Sequence, residues 1–179
     1  MKSLNETILT RDLSNNTALK DSKHIMNLLE ILDKIENLIK PDKIRKSISP
    51  KPLFGSDNHR VIVTYQFDED RYAEKKEYVA ILKEVEKIFN SYFKKDPSVQ
   101  IVLNRDSRFN DYSVRASFGK GNGSIVLSAE KVAYTSTTPA YSTREYAGTE
   151  VRTAFLLYAF IPSRMLSTFK ASAKDFEII

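Results

Sequence analysis

The chain has 179 residues, a formal net charge of +5, two histidines and no cysteine. This length is sufficient for one self-contained hydrophobic core. Without cysteine, disulfide frameworks, thiolate zinc sites and cysteine nucleophiles are excluded, and two histidines are too few for a histidine metal cluster. The longest apolar run is far shorter than the roughly 20 residues of a membrane span, and the polar N-terminus does not resemble a secretory signal. We therefore expect a virion or cytoplasmic protein, neither secreted nor transmembrane.

The first 40 residues divide into an arm and a helix. Residues 1–20 mix Asn, Ser, Thr and Lys with isolated leucines, which predicts an extended arm that a neighbouring subunit would have to hold in place. Residues 21–40 carry apolar side chains at helical spacing, with Asp21 or Ser22 as the cap and Pro41 as the stop. This stripe favours packing on the domain's own core over the alternative, a seam between subunits. Its apolar positions are Ile25, Leu28, Leu32, Ile35 and Ile39.

Residues 41–59 form a basic segment. From Lys40 to Arg60 the chain has six basic residues and two acidic ones, so most of the net charge lies here. Two prolines and a glycine in RKSISPKPLFGSDN predict an extended connector. Such a segment is either a nucleic-acid contact or a solvated linker.

Residues 60–179 are predicted to form a single domain that begins with the strand RVIVTYQF. The segment from Asp68 to Lys95 then has the spacing of a long amphipathic helix. Asp68 and Asp70 lie at its expected N-terminus, where the helix dipole favours negative charge. The alternative is a Mg²⁺ site, which would need a further carboxylate from Asp106 or Asp111.

Four further segments alternate apolar and polar side chains and predict strands: VQIVLN, DYSVRASF, SIVLSAEKVAYTS and TEVRTAFLLYAFIP. The last is apolar on both faces, which is typical of a central strand or one covered on both sides. Ser163 to Lys174 predicts a short C-terminal helix. The expected fold is α+β, with an N-terminal helix, a strand, a long helix, a mainly antiparallel sheet of about five strands and the short C-terminal helix.

The stretch FGKGNGS, residues 118–124, holds three of the five glycines and Lys120. A phosphate-binding loop requires a helix directly after it, so that backbone amides converge on the anion. Here another alternating strand starts at Ser124, and Asn122-Gly123 is a pair that tolerates the positive φ of a hairpin turn. The sequence therefore predicts a β-hairpin with Lys120 at its tip.

The segment YTSTTPAYSTREYAG, from Tyr134 to Gly148, is too long for a tight turn between two strands. Hydroxyl-rich extended chain suits hydrogen bonding to a neighbouring subunit. We expect a subunit contact here, and a disordered loop is the alternative. The predicted contact residues are Tyr134, Thr137, Thr138, Tyr141 and Tyr146.

No hydrolase elbow, zinc-protease helix or dinucleotide fingerprint occurs in the chain. His59 lacks an obvious catalytic partner and His24 falls in the first turn of a predicted helix, so both are interpreted as surface residues. We predict no catalytic residue, no cofactor and no metal site. The sequence instead favours a non-enzymatic protein.

The leading interpretation is a structural or assembly protein of a homo-oligomeric particle, in its specific form a virus or phage component such as a neck, tail or capsid accessory protein. The alternative is a basic nucleic-acid-binding module, since arginine and aromatic groups on one sheet surface hold phosphates and stack bases. Phe109 and Tyr112 would supply the aromatic rings, unless they fill the core. The candidate nucleic-acid contacts are Lys43, Arg45, Lys46, Lys51, Arg105, Arg108, Arg115 and Lys120.

Overall fold

The computed structural model describes residues 13–106, 111–119, 121–134, 139–140, 151–173 and 175–178. The helices are α1 (Leu13–Ile39), α2 (Lys75–Phe93) and α3 (Ser163–Ser172). The strands are β1 (Lys43–Ile48), β2 (Asn58–Gln66), β3 (Gln100–Asp106), β4 (Asp111–Ser117), β5 (Ser124–Tyr134), β6 (Pro139–Ala140), β7 (Val151–Pro162) and β8 (Glu177–Ile178).

All eight strands belong to one sheet, in the order β3-β4-β5-β7-β2-β1-β8, with β6 paired to β5. Every pairing is antiparallel except that of β1 with β8. The predicted α+β class is confirmed, as is the central position of β7. The prediction of about five strands was too low: β6 and β8 have two residues each, and β1 lies in the segment taken for a connector.

Helix α1 packs on the domain's own core, as predicted. Ile25, Ile31 and Ile35 are fully buried and belong to the same hydrophobic cluster as the sheet residues. The helix begins at Leu13, so Asp21 and Ser22 lie inside it and the prediction that one of them caps it was wrong. The last eight residues of the expected arm are helical, while residues 1–12 lie outside the described residues.

The predicted extended connector contains strand β1, which the sequence analysis did not predict. Its six residues pair with β2, from Lys43 opposite Gln66 to Ile48 opposite Val61. Ile48 is 1% exposed and joins the core. The strand escaped prediction because three of its six residues are basic, so its sequence lacks the alternation of apolar and polar side chains that marks a strand.

Helix α2 begins at Lys75, seven residues after the predicted start. Asp68 and Asp70 therefore precede the helix and do not occupy its first turn. The carboxylate of Asp70 instead accepts the amide of Thr153 at 3.0 Å, and the amide of Asp68 donates to Asp42 at 2.9 Å. These bonds tie the turn before α2 to β7 and to the start of β1.

The core lies between the helices and one face of the sheet, here called the covered face. Leu82, Val85 and Phe89 of α2, with Met165 and Phe169 of α3, pack against it. The buried sheet residues alternate along the strands, as the sequence predicted. They are Val61, Val63, Tyr65, Tyr112, Val114, Ala116, Ile125, Leu127, Ala129, Phe155, Leu157, Ala159 and Ile161.

The glycine stretch forms the predicted hairpin between β4 and β5, with Ser117 paired to Ser124. The turn differs from the predicted Asn-Gly type, because Gly119, Gly121 and Gly123 have positive φ and Asn122 does not. Gly123 also lies against β7: a Cβ atom at this position would be 1.8 Å from the carbonyl oxygen of Phe160. Glycine is thus required where the hairpin meets the central strand.

Candidate functional site

The second face of the sheet, here called the open face, carries no helix of the described part of the chain. The register brings apolar side chains together at its centre: Tyr158 of β7 lies opposite Ile62 of β2 on one side and Val126 of β5 on the other. Leu156 and Phe160 flank Tyr158 along β7. These five residues form the apolar strip, in which Leu156 is buried and Tyr158, Ile62 and Phe160 are half-buried.

Arginine side chains surround the apolar strip. Arg60 lies directly opposite Phe160, Arg45 opposite Thr64 and Arg115 opposite Val126, and all three arginines are exposed. Strands in a sheet are about 4.8 Å apart, so each arginine is within reach of a group that contacts the strip. Among the side chains described on this face, the acid is Glu130 and the bases are Lys43, Arg45, Arg60, Arg115 and Arg152.

The predicted nucleic-acid contacts do not form one surface. Arg45 and Arg115 lie on the open face, but Lys46 is on the covered side, 3.4 Å from the carboxylate of Glu36. Lys51 is in the turn between β1 and β2. The backbone of Arg105 pairs with that of Tyr112, whereas its side chain, Arg108 and Lys120 lie outside the described residues.

Tyr112 belongs to the core, since it is 4% exposed and its ring is 5.4 Å from that of Tyr78 in α2. It is therefore unavailable for stacking on a base, and Phe109 lies outside the described residues. The aromatic rings of the open face are Tyr158 and Phe160, which the sequence analysis did not select. The available signal was the apolar character of both faces of β7, which places a second set of large side chains opposite the core.

The predicted subunit-contact segment is described only in part. Tyr134 is the last residue of β5, and Pro139 pairs with it at the start of β6. Thr137, Thr138, Tyr141 and Tyr146 lie outside the described residues.

A cleft of about 350 Å³ lies between α1, the C-terminal end of α2, and the glycine hairpin. We call it the hairpin cleft. Rings of Phe93 and Phe118 form its apolar side, with centroids 5.0 Å apart. Asn27, Asp96 and Asn122 supply its polar side. The glycine stretch, dismissed as a phosphate loop on the sequence pattern, thus forms one wall of this cleft.

His24 lies in this cleft, and the interpretation of this residue as ordinary surface was wrong. Its ring meets Phe118 edge to face at 4.5 Å, and its buried Nε2 atom has no hydrogen-bond partner within the described part of the chain. Burial lowers the pKa of His24, an effect that Asp21 and Asp96 oppose and Arg164 reinforces. The imidazole is therefore held toward its neutral form.

Arg164, near the start of α3, fixes the hairpin against α1. Its Nε donates to Asp21 at 3.1 Å, and its Nη1 donates to the carbonyl of Gly121 at 3.3 Å. A further donor of the same guanidinium bonds the side-chain oxygen of Asn122. One planar cation thus joins three elements around the cleft.

A second cleft, of about 370 Å³, lies between α1 and the C-terminal segment. We call it the C-terminal cleft. Leu29, Leu32 and Phe176 form its apolar surface, and the acids Asp33 and Asp175 lie at its margin. It also contains Lys46, which pairs with Glu36.

His59 is buried rather than exposed, which corrects the second histidine interpretation. Its Nδ1 donates to the carbonyl of Ser49 at 3.1 Å, and its Nε2 is 2.9 Å from the hydroxyl of Ser163. A hydroxyl beside an imidazole has the spacing of a nucleophile and base. Here the imidazole is oriented by a backbone carbonyl, the hydroxyl also lies 3.2 Å from the Asp57 carbonyl, and neither residue lines the two clefts above. The contacts join β2, the β1–β2 turn and α3.

The described residues contain no group of three or more His, Asp or Glu side chains arranged to hold a metal ion. The Asp70 carboxylate accepts the amide of Thr153, and the side chains of Asp106 and Asp111, the further carboxylates that a Mg²⁺ site would need, lie outside the described residues. None of the described helices has the length and apolar character to cross a membrane. Comparison of the chain with family models, curated proteins and solved structures finds no significant match.

Proposed function

We propose that this protein is a non-catalytic assembly subunit whose open face packs against another copy of the chain in a larger particle, in its specific form a virus or phage neck, tail or capsid component. The apolar strip is the observation that carries this proposal. Ile62, Tyr158 and Phe160 retain partial exposure at the centre of a sheet, where a monomer normally covers such residues. A contiguous apolar patch with a polar rim is typical of an interaction surface.

A second copy is the favoured occupant because the chain carries a surface of opposite charge. The margin of the open face has exposed arginines, whereas the C-terminal cleft combines an apolar surface with Asp33 and Asp175. Contact between these two different surfaces on successive copies would be heterologous. Repetition of a heterologous contact generates a ring when the rotation closes and a filament when it does not.

Edge strand β3 offers a further contact for assembly. It has seven residues, and within the described part of the chain its outer edge has no strand partner. Val102 at its centre is 47% exposed on the open face. Unpaired backbone groups along an edge favour strand addition by another chain. The N-terminal arm and the hydroxyl-rich segment remain predicted contributors to the same assembly.

Sedimentation velocity over a range of protein concentrations tests the proposal. We expect the natural chain to be oligomeric and Ile62→Glu or Val102→Glu to shift it toward monomer, because each places a charge in the apolar contact. Phe54→Glu is the matched control, since Phe54 is fully exposed in the turn between β1 and β2 and belongs neither to the open face nor to the C-terminal cleft. Circular dichroism checks that each variant is folded.

Two outcomes contradict the proposal. A natural chain that stays monomeric at all concentrations would remove the basis for an assembly role. Dissociation by Phe54→Glu but not by Ile62→Glu would move the contact from the sheet to the β1–β2 turn. Deletion of residues 1–12 separately measures the predicted contribution of the arm.

The second candidate function is nucleic-acid binding by the same face. It is favoured by one observation: Arg45, Arg60 and Arg115 are exposed around the rings of Tyr158 and Phe160. Sheet surfaces that combine aromatic rings with cations bind single strands by stacking and by phosphate contacts. This arrangement differs from the predicted one, which relied on the basic connector and Tyr112.

Fluorescence anisotropy with labelled single- and double-stranded oligonucleotides at about 50 mM salt tests this candidate. The triple variant Arg45→Ser, Arg60→Ser, Arg115→Ser should weaken binding and flatten its salt dependence, because each lost phosphate contact reduces counterion release. Replacement of three exposed lysines of α2, Lys76, Lys83 and Lys87, removes equal charge elsewhere and is the control. Absence of binding, or equal loss in both triple variants, contradicts a specific role of the open face.

A further inference from the structure

The hairpin cleft has a composition that the proposed assembly role does not use. Its volume of about 350 Å³ is at the lower end of the range for small-molecule sites, about 300–1,000 Å³. It lies on the helical side of the sheet, away from the open face. Aromatic, hydrogen-bonding and cationic side chains all converge on it, and this combination restricts the class of ligand that it fits.

The aromatic rings of the cleft are the first feature that restricts the ligand. Phe118 is surrounded by His24 at 4.5 Å and Phe93 at 5.0 Å between centroids, and all three residues line the cleft. Phe93 and Phe118 are 6% and 3% exposed, so this wall offers a planar aromatic ring edge-to-face contact, which an aliphatic chain lacks, and not an open ring face for stacking. The buried Nε2 of His24 is a polar atom on this wall, so an all-carbon ring would leave it unsatisfied.

The hydrogen-bonding groups of the cleft are the second feature that restricts the ligand. Both contacts from Ser98 to Asp96 use Oδ1, at 2.9 Å from the amide and 2.6 Å from the hydroxyl. The other carboxylate oxygen is not used by Ser98 and can accept a ring N–H group of a ligand. Asn122 accepts from Arg164 through its side-chain oxygen, which leaves its amide nitrogen as a donor toward the ligand. Asn27 adds a further donor and acceptor.

Two cationic side chains are the third feature that restricts the ligand. Lys20 and Lys23 are exposed on successive turns of α1 and both line the cleft. Arg164 is already engaged by Asp21, so these lysines are the cations positioned for an incoming anion. Lysine binds phosphate as a flexible point charge.

We propose that the hairpin cleft binds a nucleoside monophosphate group, with the base against Phe93, Phe118 and His24 and the phosphate at Lys20 and Lys23. Asp96 and Asn27 contact the polar edge of the base. A base with a ring N–H donor on its polar edge, as in guanine, matches the remaining Asp96 oxygen. The group has two sources, a free mononucleotide or the phosphorylated end of a nucleic-acid strand. This inference does not depend on the assembly role.

Isothermal titration calorimetry of the full chain with guanosine monophosphate, adenosine monophosphate, guanosine and inorganic phosphate tests the proposal. We expect saturable binding of guanosine monophosphate in preference to the other three. Lys23→Glu should weaken that binding by at least about tenfold, as loss of one charge-assisted contact does, and should leave guanosine nearly unchanged. Lys83→Glu, an equal charge change on the solvent face of α2, should leave the affinity unchanged.

A second variant separates the base contact from the phosphate contact. Asp96→Asn should reduce the preference for guanosine over adenosine monophosphate, because it removes the charged acceptor for the ring N–H of guanine. Competition by a phosphorylated oligonucleotide but not by its unphosphorylated form would identify a strand end as the source. Absence of saturable binding by any mononucleotide at millimolar concentration overturns the proposal. So does inorganic phosphate binding as tightly as guanosine monophosphate, or an affinity unaffected by both Lys23→Glu and Asp96→Asn.

Discussion

The two faces of the sheet differ in how far they bury similar apolar side chains. On the covered face, Phe155 and Leu157 of β7 are fully buried under helices. On the open face of the same strand, Leu156 is buried, but Tyr158 and Phe160 remain half-buried beside exposed arginines. Alternation along a strand decides which side chains share a face. Whether a face is covered depends on elements that are distant in sequence.

The largest expected effect is the difference between Phe155→Ala and Phe160→Ala, two equal truncations on opposite faces of β7. Phe155 contacts the rings of Phe67 and Tyr72 at 6.2 and 5.3 Å between centroids, so its removal leaves an enclosed cavity. We expect Phe155→Ala to lower the free energy of unfolding by about 3–5 kcal/mol. Phe160→Ala should cost less than half as much, because solvent already reaches that side chain. Urea denaturation of the two variants measures the difference.

An equal cost for the two truncations would show that the open face is packed as tightly as the covered one. The comparison is best made at low protein concentration. Self-association through the open face would add stability that depends on concentration, and Phe160→Ala would then lose that contribution as well.

The next effect concerns the hairpin, where Gly123 and Gly121 have similar positive φ values of 85° and 74°. An alanine at position 123 would collide with the carbonyl of Phe160, whereas at position 121 its Cβ atom has nothing within 4 Å. We expect Gly123→Ala to cost about 2–4 kcal/mol and Gly121→Ala about 1 kcal/mol, the strain of positive φ alone. Thermal unfolding measured by circular dichroism distinguishes them. Equal costs would mean that the approach of the hairpin to β7 is not rigid.

The third effect is pH dependence at His24 on the covered side. Because burial lowers the folded-state pKa below 6.5, the unfolded chain binds more protons than the folded chain in the window below that pH. Stability from the neutral imidazole is therefore present above about pH 6.5 and is lost as the pH falls toward the folded-state pKa. Asp21, Asp96 and Arg164 also act on this ring and affect how far its folded-state pKa lies below 6.5.

His24→Gln removes this titration and should flatten the loss of stability with acidification. The difference in slope between the natural chain and the variant is at most about 1.4 kcal/mol per pH unit, the value for one proton. Urea denaturation at several values between about pH 5 and pH 7 measures it. Parallel pH profiles for the two proteins would contradict a buried neutral imidazole.

The smallest expected effect on stability is at the arginines of the open face. Arg115→Ser should change the free energy of unfolding by no more than about 0.5 kcal/mol, as is usual for exposed surface positions. Self-association or nucleic-acid binding of the Arg115→Ser variant should nevertheless change, since Arg115 lies in the row that contains Val126, Tyr158 and Ile62. A stability loss comparable to that of a core truncation would assign Arg115 to the fold rather than to an interface.

The fold was predictable where local pattern was sufficient. Helix α2 and strands β2, β4, β5 and β7 have clear periodicity, and their buried residues followed from it. The boundaries were harder to predict: α1 starts at Leu13, but residues 17–20 are exposed and no apolar repeat marks this part of the helix. Strand β8 depends on pairing with Ser47 and Ile48 from the other end of the chain. A strand of two residues is too short to show an alternation of apolar and polar side chains.

The candidate sites were less predictable than the fold. Arg115 was correctly expected to point away from the core, but Tyr112 proved to be buried and the rings of Tyr158 and Phe160 were missed. The hairpin cleft combines residues 20–27, 92–99, 118–122 and Met165. No spacing rule connects segments so far apart, and the environment of His24 depends on all of them.

By itself, the sequence determined the α+β class, the apolar face of each long element and the hairpin character of FGKGNGS, because these follow from local periodicity and from backbone preferences of glycine. Only the tertiary structure decided which apolar residues remain at a surface and which polar residues meet in a cleft. Solvent exposure and electrostatic environment are properties of neighbours in space. For Tyr158, His24 and Asp96, those neighbours come from separate strands, helices and turns.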